Sequence, residues 1–443
     1  MTHLIVTHAT ADDQFAPAAQ PGDTTYVFAF NGTSEGISIH HTVASEIERA
    51  GLNLSSTAED LLNFAMTAYS ADMRVPRSTG YDSWTRGLRL YLAVTNLDQW
   101  VEARDELTEL LSYLTGDHWE IEFRQRNRET EVAQVEKSQK QLIVEAPTAV
   151  ALFSGGLDSF IGAIENLEAN KGPIVLVGHH GAGTTNRVQE RAFAAINAKY
   201  SDRATLLRFY VQPDTPVEKT TRSRSIVFLA LGAAVASAYE GPITLSVPEN
   251  GLISLNPPLT DTRMGSLSTR TTHPYFLSLF SSVLTRLGIN VALDAPYRFV
   301  TKGEMIERVK NNEAFLSGVH DTLSCSHPDV GRYQGNSPGQ HCGYCFPCLI
   351  RRAALDFAGL DDRARYLDDV RTNRPAQGSD TGRDLRALEM AIRRFKDMTE
   401  SRRSFEVLAS GPLPSAEASN YVGVYRRGME ELRLFFEGPS TKT

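Results

Sequence analysis

Val150-Ala151-Leu152-Phe153 runs directly into Ser154-Gly155-Gly156-Leu157-Asp158-Ser159, and apolar residues then recur at helical spacing from Ser159 to Ala169. An apolar strand, a glycine pair and a helix start are the parts of an anion site. Glycine lets the backbone turn tightly and leaves no Cβ between it and a ligand. N–H groups of the first helical turn point at the anion, and the helix dipole favours its negative charge. Ser154 and Ser159 add hydroxyl donors. Asp158 does not attract phosphate; it suits a cap, or a Mg²⁺ that bridges phosphate oxygens. A glycine pair alone would serve an unliganded turn equally well. The complete Ser-Gly-Gly-x-Asp-Ser string favours a nucleotide held by Ser154, Gly155, Gly156, Leu157, Asp158 and Ser159. The Gly-x-x-x-x-Gly-Lys-[Ser/Thr] phosphate loop is absent from the chain.

Outward from this loop the pattern repeats. Apolar, β-rich runs stand at Ala149–Phe153, Ile174–Val177, Thr205–Val211, Ile243–Val247 and Val291–Leu293. Helical patterns at Ser159–Ala169, Gln189–Lys199, Ile226–Ala238 and Tyr275–Leu287 alternate with them. Such alternation predicts an α/β core, a parallel sheet with helices on both faces. Ligands of these sheets bind at the carboxyl ends of the strands.

The flanks read differently. Residues 1–140 hold all three tryptophans, Trp84, Trp100 and Trp119, with strands at Thr25–Phe30 and Leu88–Thr95. Helical patterns at Ala58–Ala71 and Trp100–Leu114, the latter ended by Gly116, complete an accessory α+β domain. Its charged run, Arg124 to Lys140, reads as a connector. Residues 141–360 form the α/β domain. Residues 361–443 form a helical extension, with apolar spacing at Asp384–Lys396 and Val424–Phe436. A chain of 443 residues is expected to hold two or three domains. Net charge is −8, which disfavours a dedicated nucleic-acid partner. No apolar run spans a bilayer and the N-terminus carries no secretory pattern, so a cytoplasmic protein is expected.

All four cysteines fall between Cys325 and Cys348. Cys342, Cys345 and Cys348 form a C-x₂-C-x₂-C run, and Cys325 lies upstream. Four thiolates converging through Gly343 and Pro347 suit a closed, structural Zn²⁺ site. An iron–sulfur cluster is the competing reading.

The loop resembles the PP-loop of ATP pyrophosphatases, which implies a HUP-like parallel-sheet core and cleavage of ATP between its α- and β-phosphates. With the late cysteine cluster, residues 147–360 resemble the 7-cyano-7-deazaguanine synthase family, QueC. Thr301-Lys302-Gly303-Glu304, Ser324-Cys325 and Leu349-Ile350-Arg351-Arg352 carry the likeness further. It implies ATP, Mg²⁺ and structural Zn²⁺, and a 7-carboxy-7-deazaguanine-like carboxylate that is adenylated and then attacked by a nitrogen nucleophile. Lys302 and Arg224 are expected to neutralise the departing polyphosphate, and Asp158 to take part in binding Mg²⁺. His179 and His180, at a strand's carboxyl edge, and Glu249 and Asn250, suited to a purine-like edge, are candidate substrate contacts. The segment Leu252–Thr272 is expected to form a lid.

Two stretches depart from QueC: Arg224-Ser225, and Gly178-His179-His180-Gly181-Ala182-Gly183. The first region, with Arg74, Trp84-Thr85-Arg86 and Leu114-Thr115-Gly116-Asp117-His118-Trp119, resembles QatC, the QueC-like proteins of anti-phage defence operons. That likeness implies partner proteins from the same operon; the nucleophile is expected to be ammonia, or an amine on a partner protein that the extra first region would dock, and a homodimer is a further expectation. The alternatives are plain nitrile synthesis in queuosine formation, tRNA sulfur insertion, and an inactive nucleotide-sensing subunit of a defence complex.

Overall fold

A computed structural model describes the chain except residues 1, 9, 11, 33–34, 127–145, 182, 220–221, 261–269, 334, 336–338, 362, 377 and 439–443. Its strands are β1 (Thr2–His8), β2 (Thr24–Phe30), β3 (Ile37–His41), β4 (Gly87–Val94) and β5 (His118–Gln125), then β6 (Ala149–Leu152), β7 (Ile174–His180), β8 (Ala204–Pro213), β9 (Ile243–Ser246) and β10 (Val291–Asp294). They form one ten-stranded sheet in the order β10-β9-β6-β7-β8-β3-β2-β1-β4-β5. Every neighbouring pair is parallel except β3 and β8, which run antiparallel with His40 opposite Gln212.

The core strands are apolar throughout because both faces are covered. Ala151 and Leu176 face Phe160, Ile161 and Ile196 on one side. Val150 and Val175 face Ile226, Leu229 and Phe276 on the other. This is the alternation of side chains along a strand, with a layer of helices receiving each set. Helices Leu157–Ala169, Thr185–Lys199, Arg224–Ser237 and Pro274–Arg286 fall where the periodicity placed them.

The first region differs from the α+β layout expected of it. Its five strands pair in parallel and join the core sheet edge to edge, so it too is α/β. Helix Ser56–Arg74 packs on helix Arg224–Ser237, and one apolar cluster runs through Phe28, Phe64 and Trp100 into Val150 and Leu245. The expected helix Trp100–Leu114 is two helices, Leu97–Glu102 and Arg104–Thr115, broken at Ala103; Gly116 ends the second in a left-handed conformation. Of the charged run, Arg124 and Gln125 belong to β5, whose Trp119 and Ile121 are buried while Glu120 and Glu122 are exposed. The run from 127 onward lies outside the described residues. So does 261–269 of the expected lid Leu252–Thr272, whose first residues belong to the short helix Gly251–Leu255.

Helices Arg383–Asp397, Glu400–Leu408 and Ala418–Glu437 build the C-terminal part. Their apolar faces, Leu388, Phe395, Val407 and Tyr421 among them, pack with the cysteine segment. Among the described residues no helix is long and apolar enough to cross a membrane.

Candidate functional site

From β6 the chain steps to β7 and β8 on one side, then returns to place β9 on the other side of β6. A crevice opens at the carboxyl ends of strands at such a reversal. Ser154–Ser159 follows β6, Pro248–Asn250 follows β9, and Lys302 lies just beyond β10. Topology therefore delivers three separate stretches to one place.

Gly155 adopts φ +78°, a conformation that L side chains rarely take. A Cβ there would also meet Val188 Cγ1 at 3.0 Å. Ser154 and Ser159 hydroxyls lie 3.1 Å apart, and Ser159 Oγ donates to the Gly156 carbonyl at 3.0 Å. The Gly156 N–H donates to Ser154 Oγ at 3.2 Å and the Leu157 N–H to Ser324 Oγ at 3.3 Å. Backbone donors at the start of helix Leu157–Ala169 thus converge beside hydroxyls, an arrangement that suits phosphate.

Asp158 is buried, and both of its oxygens are engaged. Lys302 Nζ donates to Oδ1. Asn250 donates to Oδ2 through its backbone N–H at 3.1 Å and through Nδ2 at 2.6 Å. Burial alone would raise the Asp158 carboxyl, but the Lys302 ammonium beside it holds it below the usual carboxylate range. Glu249, half-buried and hydrogen-bonded to Asp158, goes the other way: burial pushes it well up, and the Asp158 charge adds to the shift. The two carboxyl groups are thus pushed in opposite directions. Asp158, where Mg²⁺ was expected, already accepts from Lys302 and Asn250, and among the described residues no group of three His, Cys, Asp or Glu ligands lies at the loop. The residues present fit an anion better than a divalent cation.

Arg224 sits across the loop from this cluster in a second group. Its Nε donates to His179 Nδ1 at 3.2 Å and its Nη2 to the His179 carbonyl at 2.8 Å. Among the described residues it makes no ion pair, and burial holds its guanidinium below the usual value. His179 is fully buried against Tyr69 of the first region; burial and then Arg224 push it well down, so the ring is neutral. Gln189, which sequence reasoning missed because it sits inside a helical pattern, donates to the carbonyls of Phe153 and His179 at 3.3 and 3.2 Å. It ties the end of the strand before the loop to His179. His180 points elsewhere, its ring tilted against Tyr210.

The four cysteine sulfurs lie within 4.8 Å of one another. Separations of 3.9 Å for Cys325–Cys345 and Cys342–Cys348 exclude disulfides in those pairs. They match the edge, about 3.8 Å, of a tetrahedron with metal–sulfur bonds of about 2.3 Å. The His327 and Cys342 N–H groups donate to Cys325 Sγ, and that of Cys345 to Cys342 Sγ, at 3.3–3.4 Å, a pattern that stabilises thiolates. Burial pushes the Cys348 thiol well up. The donor set is compatible with zinc.

The Lys302 helix is itself gripped from outside. Thr301 and Glu304 form a reciprocal capping box. Glu431, from helix Ala418–Glu437, accepts from the Thr301 hydroxyl and, at 3.2 Å, from the Gly303 N–H.

No protein-family model matches the chain. It is 29% identical over 250 residues to the 7-cyano-7-deazaguanine synthase of Novosphingobium aromaticivorans, covering 50% of this chain and 95% of that protein. To the enzyme of the same name from Syntrophobacter fumaroxidans it is 28% identical over 251 residues, covering 50% of this chain and 97% of that protein. A shorter match to the Cupriavidus taiwanensis synthase reaches 33% over 89 residues, 19% of this chain and 35% of that one. Half of this chain is thus similar to nearly the whole length of proteins named 7-cyano-7-deazaguanine synthase.

Proposed function

We propose that the protein is an ATP-dependent enzyme that activates the carboxylate of a 7-carboxy-7-deazaguanine-like acid for attack by a nitrogen nucleophile. The observation that carries this reading is the phosphate loop with the Asp158–Lys302 pair at its helix start, in a chain half of which is similar to 7-cyano-7-deazaguanine synthases. The substrate carboxylate oxygen attacks the α-phosphorus of ATP. The bond from that phosphorus to the oxygen bridging to the β-phosphorus breaks, and pyrophosphate leaves with the oxygen. Loop N–H groups with Ser154 and Ser159 hold the phosphates, while Lys302 and Arg224 meet the charge that develops on the leaving group. Mg²⁺ bound with the ATP would supply further neutralisation of the phosphate charge. Glu249, half-buried, and Asn250 present polar groups to a purine-like edge. The nitrogen nucleophile attacks the acyl carbon, AMP leaves, and the nitrogen's proton passes to solvent or a carboxylate. Zinc held by Cys325, Cys342, Cys345 and Cys348 would act structurally, as its closed shell leaves no position for water.

With ammonia the product is an amide; a second ATP adenylates the amide oxygen with release of pyrophosphate, and loss of AMP and of both N–H protons gives the nitrile, the cyano group in the relatives' name. The QatC-like first region supports a second setting, anti-phage defence with an amine of a partner protein as nucleophile. Incubation with ATP, Mg²⁺, 7-carboxy-7-deazaguanine and ammonium should form AMP and pyrophosphate in equal amounts. Absence of both, with and without proteins of the same operon, removes the basis of the proposal. Nitrile from ammonia alone supports plain synthesis; mass added to a partner protein supports the second setting.

A further inference from the structure

We infer that Ser324 is a further phosphate-binding residue, presented to the nucleotide by the cysteine segment. This rests on the ATP-site reading above and adds a ligand from outside the Ser154–Ser159 string.

Ser324 stands immediately before Cys325, and its chain runs along the phosphate loop. The Leu323 N–H donates to the Gly155 carbonyl at 3.0 Å, which pins the peptide of the residue at positive φ. The Ser324 N–H donates to His341 Nε2 at 3.3 Å, so the backbone at 324 is held from the other side as well. Between these anchors the half-buried Ser324 side chain places its oxygen on the Leu157 N–H, a donor that faces the anion concavity. A Cβ on Gly156 would come within 3.7 Å of the same oxygen, so the hydroxyl overhangs the glycine pair.

A hydroxyl in that position plays two parts. While the concavity holds no anion, it accepts from the loop N–H and keeps that donor satisfied. When a phosphate enters, the N–H turns to the phosphate oxygen and the hydroxyl donates its own proton to the same anion. Ser154 stands in the same relation to the Gly156 N–H, at 3.2 Å. The loop therefore has one serine from its own strand and one from the cysteine segment, a matched pair across the glycines. Integrity of the cysteine site then bears directly on nucleotide affinity, through two residues of backbone.

The test is ATP binding by titration calorimetry on the full chain, comparing Ser324→Ala and Ser324→Thr with the parent. A charge-assisted hydrogen bond lost on removal of the hydroxyl predicts about ten-fold weaker ATP binding in Ser324→Ala, with most of it restored in Ser324→Thr. Metal content per chain and melting midpoint should stay at parental values in both variants. Equal ATP affinity in Ser324→Ala and the parent overturns the assignment while leaving the ATP reading intact. A weakening accompanied by metal loss also overturns it, since the serine would then act only on the cysteine site. A parent that binds no ATP overturns both.

Discussion

Asp158 and Lys302 show how far one residue's part depends on its neighbours. In the sequence Asp158 is a free acid poised for a cation. In the fold it is buried, paired with Lys302 and hydrogen-bonded by Asn250 and Glu249. Removing Lys302 leaves two carboxyl groups facing each other without the cation that separates their behaviour. Lys302→Ala should lower the rate of pyrophosphate release at saturating ATP by about 10²–10³-fold, the scale for losing a preorganised charge at a reacting centre. The same variant should melt earlier than the parent, because unpairing a buried ion pair costs about 3–5 kcal/mol. Release at the parental rate in Lys302→Ala would show that the ammonium serves the fold alone. The loop's serines and glycines were legible as a candidate site because a glycine turn between a strand and a helix is written in neighbouring residues. Gln189 and Ser324 were not, because nothing around them in the chain marks them as neighbours of the loop.

At the level of elements, the Lys302 helix is held at its first turn by Glu431, 130 residues away in sequence. Gly303 is required by this contact: a Cβ there would lie 2.7 Å from Glu431 Oε1 and 2.8 Å from the Phe357 ring. Gly303→Ala should therefore lower the melting midpoint and slow pyrophosphate release together, since the helix that carries Lys302 must move aside. Glu431 also makes this element sensitive to pH. Burial, with Glu304 adding to it, pushes its carboxyl up to about 7 against the opposing effects of Thr301, the Gly303 N–H and Arg427. An acid whose value is raised in the folded protein takes up its proton more readily there than in the unfolded chain. Its contribution to stability is fully present below the ordinary glutamate value and is lost as pH rises through about 7. Denaturant unfolding should show the parent losing about 1–3 kcal/mol from this group between pH 5 and pH 8, and Glu431→Gln should remove that slope. An unchanged slope in Glu431→Gln would assign the pH dependence to another group.

At the scale of the whole molecule, the first region and the core share one sheet and one apolar cluster. A buried ion network strengthens the junction. Asp72 and Asp117 each pair with both Arg77 and Arg86, and Asp72 Oδ2 accepts from Ser223 Oγ at 2.6 Å. Ser223 immediately precedes Arg224, so the network ends one residue from the candidate site. Asp72→Ala strips two buried guanidinium groups of a shared partner and should lower the unfolding free energy by about 3–5 kcal/mol, measured by denaturant titration. A loss below about 1 kcal/mol would mean that Asp117 and water compensate.

The order and kind of the core elements, the glycine turn after β6 and the convergence of four cysteines were all determined by the sequence itself. Alternation, helical spacing and ligand spacing are properties of neighbouring residues, and they survive any arrangement of the distant chain. Only the tertiary structure decided that β3 meets β8 antiparallel, turning an expected accessory module into half of one sheet. Strand adjacency is chosen by burial across the molecule, which no local pattern records. The same holds for Ser324 on the Leu157 N–H, 167 residues apart, Ser223 on Asp72, 151 apart, and Glu431 on the Lys302 helix. Each is a polar contact whose partner becomes a neighbour only after the chain has closed around it.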